Sequence, residues 1–214
     1  MISLARPTLF SVLLTACLAV FSTAALAQSH TDGYETLATP VAVSPSSAES
    51  GKVEVLEFFW FGCPHCFAFE PSINEWAEDK PDYVNFVREA PPLNSSWLAH
   101  SQAFYASQIL GVTDQMFEPF FNAIHLERKP LRDPESISEY VGTLGIDSAE
   151  FLNTMKSREV MLRIERSMEL AIDAGIRGVP TILVNGKYMT GNSIAGGHEQ
   201  IIQVINKLTE QENQ

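Results

Sequence analysis

The sequence predicts an α/β fold in which one mixed domain is split by an all-helical insertion. Three observations predict it. Residues 52–61 are an apolar run dominated by Val, Leu, Phe and Trp, the pattern of a strand buried on both faces. From residue 95 to about residue 175 the patterning is helical, with no strand. Strand character then returns in Thr181-Ile182-Leu183-Val184 and Lys187-Tyr188-Met189, joined by Asn185-Gly186, a strong short-range hairpin signal. The order is therefore β-α-β, a helical block, then β-β-α. The expected organisation is a signal peptide at 1–27, a first α/β part at 34–94, a helical insertion at 95–175 and a second α/β part at 176–214.

The first 27 residues read as an export signal. Arg6 is the one charged side chain, an apolar stretch follows, and Ala25-Leu26-Ala27 is a small-x-small cleavage site. An uncleaved anchor and lipidation at Cys17 are the alternatives. The alanines, serine and threonines weaken the first, and the largely apolar sequence that continues for nine residues past Cys17 weighs against the second. Residues 34–43 allow a short edge strand interrupted by Pro40, and 45–51 read as a loop. A helix follows at 64–79, with Phe67, Ile73 and Trp76 facing inward and Pro71 kinking it. The next strand is 83–89. Within the insertion, helices are expected at 95–110, 113–125, 134–144, 147–156 and 158–174, with Asp114, Asp133 and Asp147 as caps or first-turn acids. Gly196-Gly197 leads into a closing helix at 198–208, apolar at Ile201, Ile202, Ile205 and Leu208.

Composition narrows the chemistry. With 14 basic against 26 acidic residues the net charge is −12, which argues against nucleic acid or an anionic membrane as partner. Cleavage after Ala27 would remove Cys17 and leave Cys63 and Cys66 alone. A structural zinc site needs four ligands, and His30, His100, His125 and His198 are scattered without ligand spacing, so no metal is expected. A disulfide closing so short a ring would constrain little of the unfolded chain. The remaining use for the pair is chemical. Gly62-Cys63-Pro64-His65-Cys66 places Pro64 in the first turn of a helix, where its missing N–H costs nothing. A cysteine there lies beside unpaired backbone N–H groups and the positive end of the dipole, which favours its thiolate. The chemistry expected is dithiol–disulfide exchange.

Phe58-Phe59-Trp60-Phe61-Gly62-Cys63-Pro64-His65-Cys66, taken with Gly178-Val179-Pro180, resembles the DsbA family of exported bacterial disulfide oxidases. The resemblance implies a thioredoxin-like fold with an inserted all-helical domain. It makes Cys63 the exposed nucleophile and Cys66 the more buried partner, with Pro64 and His65 tuning the pair. Pro180 matches a cis-proline opposite the cysteines, and the backbone of Val179 would pair with substrate. Glu57 matches an acid beneath the pair that carries protons, and Glu70 a second acid nearby. The lysine that usually partners them falls at Pro81, beside Lys80, so the resemblance leaves these acids without their cation and Glu57 open to an edge-facing position. Substrate contact is expected on apolar surface around Phe61, His65 and Val179. The implied activity is donation of the Cys63–Cys66 disulfide to newly exported proteins in the periplasm, by a monomer needing no cofactor. The implied partners are unfolded substrates with free thiols and a DsbB-like membrane reoxidase. The alternatives are a periplasmic reductase or isomerase, and a non-catalytic metal-binding or chaperone-like module.

Overall fold

The computed structural model describes residues 32–214. The expected signal peptide, its cleavage after Ala27, Cys17 and His30 lie outside the described residues. The elements in order are β1 (Glu35–Thr36), α1 (Pro45–Ser50), β2 (Val53–Phe58), α2 (Pro64–Asp79), β3 (Val84–Glu89), a 3₁₀ turn (Ser95–Trp97), α3 (Leu98–Leu110), α4 (Thr113–His125), α5 (Pro134–Thr143), α6 (Ser148–Met155), α7 (Arg158–Asp173), β4 (Thr181–Val184), β5 (Tyr188–Gly191), α8 (Asn192–Ala195) and α9 (His198–Glu212).

The sheet runs β1-β5-β4-β2-β3. β2 is parallel to β3 and antiparallel to β4, so it is flanked on both edges. Every residue of β2 is buried because both faces of the sheet are covered. Side chains alternate across a strand. Val53 and Val55 pack with Phe69, Ile73 and Trp76 of α2 and Ile201, Ile205 and Leu208 of α9. Leu56 and Phe58 pack on the other face with Ala171 and Ala174 at the end of α7, and with Leu183. A third, larger cluster lies in the helical block, and Phe59, Phe61 and both cysteines belong to it. The chain leaving β2 thus carries the redox loop into the interface with the inserted helices.

Several expectations change in detail. Residues 45–50 form a helix, not a loop. Ser44 caps it by accepting from the Ser47 N–H at 3.3 Å, Pro45 occupies the first turn, and Gly51 ends it in the left-handed region. Phe69 takes the fully buried place on α2, while Phe67 is half-buried. As expected, Asp133 and Asp147 cap α5 and α6, each accepting an N–H at 2.9 Å, and Asp114 is a first-turn acid of α4. The closing helix runs four residues past Leu208 to Glu212, whose carboxylate meets Lys187 and Asn185. The hairpin turns where expected, with Asn185 at φ 50° and Gly186 at φ 65°. A Cβ on Gly186 would lie 2.1 Å from the Val41 carbonyl oxygen, so close approach as well as φ requires glycine there.

Candidate active site

β2 ends at Phe58, and Phe59 and Phe61 are held by aromatic rings of α3 and α4. Phe61, expected on the contact surface, is fully buried. Its ring lies 4.8–5.1 Å from those of Phe59, Phe117, Phe120 and Phe121. A large apolar side chain gains too much from that cluster to stay in water. Trp60 to Cys63 then turn, with the Cys63 N–H donating to the Trp60 carbonyl at 2.9 Å. A Cβ on Gly62 would lie 2.2 Å from the Trp60 indole, so glycine lets the turn close against that ring.

Cys63 is the N-cap of α2, with extended backbone and Pro64 following in the first turn. Its sulfur accepts from the Cys66 N–H at 3.3 Å. As a thiol it also donates to the Val179 carbonyl at 3.4 Å. Both cysteines are free thiols. Cys63 retains 6% exposure and Cys66 none, so Cys63 is less open than expected, covered from the side of Val179. The Cys63 thiol is lowered from 9.0 to about 6, chiefly because the Cys66 thiol donates to its sulfur. Burial opposes this, while the N–H groups of Cys66 and His65 and the His65 charge assist, the charge least. Cys66 is pushed far the other way by burial first, then by the bond it gives to Cys63 and the negative charges of Cys63 and Glu57.

The Val179–Pro180 peptide bond is cis. Pro180 is buried and Val179 half-buried, and both line a groove of about 690 Å³. Exposed His65 borders the same groove, with Arg177, Met189 and Ile194 farther along it.

Beneath the pair, the expectation of acids without a cation is overturned. Glu57 is fully buried rather than edge-facing, and Arg88 on β3 supplies the charge. The two residues sit opposite each other in the parallel β2–β3 register. Arg88 Nε donates to Glu57 at 2.8 Å, and its Nη2 donates to Asn74 at 2.7 Å and to Glu70 at 3.3 Å. Its guanidinium lies over the rings of Phe86 and Phe117. One cation thus serves two buried carboxylates. Burial raises Glu57 above the usual carboxylate range despite Arg88. Burial and then the Glu57 charge push Glu70 up to about 8. Glu57 Oε1 and Glu70 Oε1 have no hydrogen-bond partner, so a protonated carboxyl is the cheaper state for one of the two. Sequence reading missed Arg88 and Asn74. The available signal was a second charge, Arg88, inside the strand that pairs with the one holding Glu57. Among the described residues no group of three or more His, Cys, Asp or Glu is placed to hold a metal ion.

A family model described as a DSBA-like thioredoxin domain matches residues 90–200. The thiol:disulfide interchange protein DsbA of Pseudomonas aeruginosa is 39% identical over 207 residues, covering 94% of this chain and 96% of the relative. That of Pseudomonas syringae pv. tomato is 42% identical over 177 residues, covering 83% and 80%. The chain belongs to the DsbA family. The crystal structure of Pseudomonas aeruginosa DsbA superposes with a TM-score of 0.78 at 39% identity, covering 85% of this chain and 92% of that one. The DsbA oxidoreductase of Xylella fastidiosa gives 0.78 at 26% identity, covering 85% and 95%. As a DsbA-family member the protein has a thioredoxin-like fold with inserted helices, and it is a disulfide oxidoreductase.

Proposed function

We propose that the protein is a periplasmic oxidase that donates the Cys63–Cys66 disulfide to newly exported proteins. The observation that carries this reading is the opposed tuning of the two sulfurs, with Cys63 favoured as a thiolate and Cys66 as a thiol. A low thiol pKa stabilises the dithiol form, so the disulfide becomes a strong oxidant, and it makes Cys63 a good leaving group. DsbA proteins are themselves the usual illustration of this rule.

The exchange balances in two steps. A substrate thiolate attacks Cys63 Sγ, forming a substrate–Cys63 disulfide and breaking the Cys63–Cys66 bond. The electron pair goes to Cys66, which takes up a proton in keeping with its raised pKa. A second substrate thiolate then attacks the substrate sulfur of that bond and expels Cys63 as a thiolate. The substrate has lost two electrons and the protein is the dithiol. No cofactor enters, because the electrons pass through sulfur alone. Glu57, buried with Arg88 and acting electrostatically on Cys66, is the group suited to supply and recover the Cys66 proton, with Glu70 sharing the Arg88 charge. The backbone of Val179 offers a place for an extended substrate segment beside Cys63, and the groove past His65 gives it room. Recognition through backbone explains how many unfolded chains could serve. Reoxidation falls to a DsbB-like membrane protein, and export follows from the signal at 1–27.

The test is the equilibrium of the Cys63–Cys66 pair with glutathione, followed by oxidation of a reduced, unfolded client protein. An oxidase equilibrates in favour of its dithiol and restores the client's disulfides. A pair that stays oxidised in millimolar reduced glutathione and leaves the client reduced would refute the reading. Cys66→Ser should accumulate client disulfide-linked through Cys63.

A further inference from the structure

His125 ends α4, inside the helical block, yet its ring lies against the redox loop. Its Nε2–H donates to the Phe61 carbonyl at 2.7 Å. The ring also stacks on Phe67, with centroids 4.7 Å apart and planes 10° apart. Phe61 precedes the segment that carries the two cysteines and Phe67 follows it. One side chain from the inserted helices therefore grips that segment at both ends.

The grip falls on a point with two possible states. Phe61 and Gly62 are the central residues of the turn closed by Cys63 N–H and Trp60 C=O. In such a turn the central peptide can face either way, as in types I and II, and glycine in the third place removes the usual steric cost of the second. Gly62 lies outside the left-handed region that a type II turn needs, so the first orientation is the one present. The Phe61 carbonyl belongs to that central peptide. A donor placed on it selects the orientation, and the next residue is Cys63. The sulfur of Cys63 depends on staying aligned with the Cys66 N–H, 3.3 Å away.

We infer that His125 is a positioning residue for thiol–disulfide exchange: by holding the Phe61–Gly62 peptide in one orientation, it keeps Cys63 aligned on the end of α2. Its hydrogen bond goes to the Phe61 carbonyl, so it acts through Phe61 and Gly62. The inserted helices thus tune the redox pair and do more than cover it. The inference rests on Cys63–Cys66 being the redox pair, but not on the direction in which that pair moves electrons.

Two substitutions separate the donor from the ring. His125→Phe keeps the stack and removes the donor; His125→Gln keeps an N–H of similar reach and removes the ring. The reduced proteins are titrated by thiolate absorbance and equilibrated with glutathione, and melting temperatures are recorded alongside. His125→Phe should raise the Cys63 midpoint by about half a unit, which moves the glutathione equilibrium about threefold toward the disulfide. His125→Gln should titrate and equilibrate with the unsubstituted protein, even where both variants melt earlier. Equal shifts in the two variants, a shift in His125→Gln alone, or lowered melting with neither redox property moved would each overturn the inference. Should His125→Phe fail to fold, the ¹⁵N spectrum of the unsubstituted reduced protein decides. A proton on His125 Nε2 supports the grip on Phe61, and the Nδ1–H tautomer refutes it. Client oxidation is not used as the readout, so failure of the oxidase reading leaves this result standing.

Discussion

Lowering the pH from 7 to 5 should remove a defined part of the stability of the dithiol form while sparing the disulfide form. The Cys63 thiol ionises at about 6 in the folded protein against 9.0 for an ordinary thiol. Its folded pKa is depressed, so its contribution is complete above the unfolded pKa and is lost as pH falls through the folded one. Between those limits it equals RT ln[(1+10^(pH−6))/(1+10^(pH−9))], using the two pKa values just given. That is on the order of 1 kcal/mol at pH 7 and close to nothing at pH 5. Glu70, raised to about 8, works with the opposite sign: its contribution is present below the ordinary carboxylate range and lost as pH rises through about 8. It is present in both redox forms, so the difference between them largely removes it. The assay is urea unfolding of the dithiol and disulfide proteins across this range, read as the difference in unfolding free energy at each pH. The difference should move by roughly 1 kcal/mol between pH 5 and 7, toward the dithiol at the higher pH. A flat difference, or one moving the other way, would show that no favoured Cys63 thiolate exists and would remove the physical basis of the oxidase reading.

Thiolate absorbance should rank the groups around Cys63: Cys66→Ala should raise its midpoint more than His65→Ala, because the Cys66 bond is the largest cause and the His65 charge the smallest. The reverse order would place the tuning in the imidazole. Arg88→Met leaves Glu57 and Glu70 buried without their cation. Urea unfolding at pH 7 should show a loss of about 3–5 kcal/mol, and adding Glu57→Gln should recover part of it. Gly186→Ala forces a Cβ toward the Val41 carbonyl at a φ of 65°. It should cost about 1–3 kcal/mol in thermal unfolding with the glutathione equilibrium unchanged.

Much of this protein is written in short stretches of chain. The strand-to-helix step at Gly62-Cys63-Pro64, the Asn185-Gly186 turn and the caps Asp133 and Asp147 depend on residues within a few positions of one another, so composition and spacing expose them. The same locality explains the error at 45–50, where Ser44, Pro45 and Gly51 are helix signals that the polar composition hid. What stands around the sulfurs is decided otherwise. Arg88 reaches Glu57 because β2 and β3 align in parallel across 31 residues of chain. His125 reaches Phe61 across 64 residues, because α4 packs back on the loop. Phe61 turns inward because four aromatic rings are there to receive it.

Residue order alone dictates that two cysteines meet at the start of a helix, and with them the kind of chemistry. Which charges, donors and rings surround those sulfurs is settled by packing. Burial, and the cost of leaving a charge or polar atom unpaired, depend on which distant segments come together, and no local pattern carries that information.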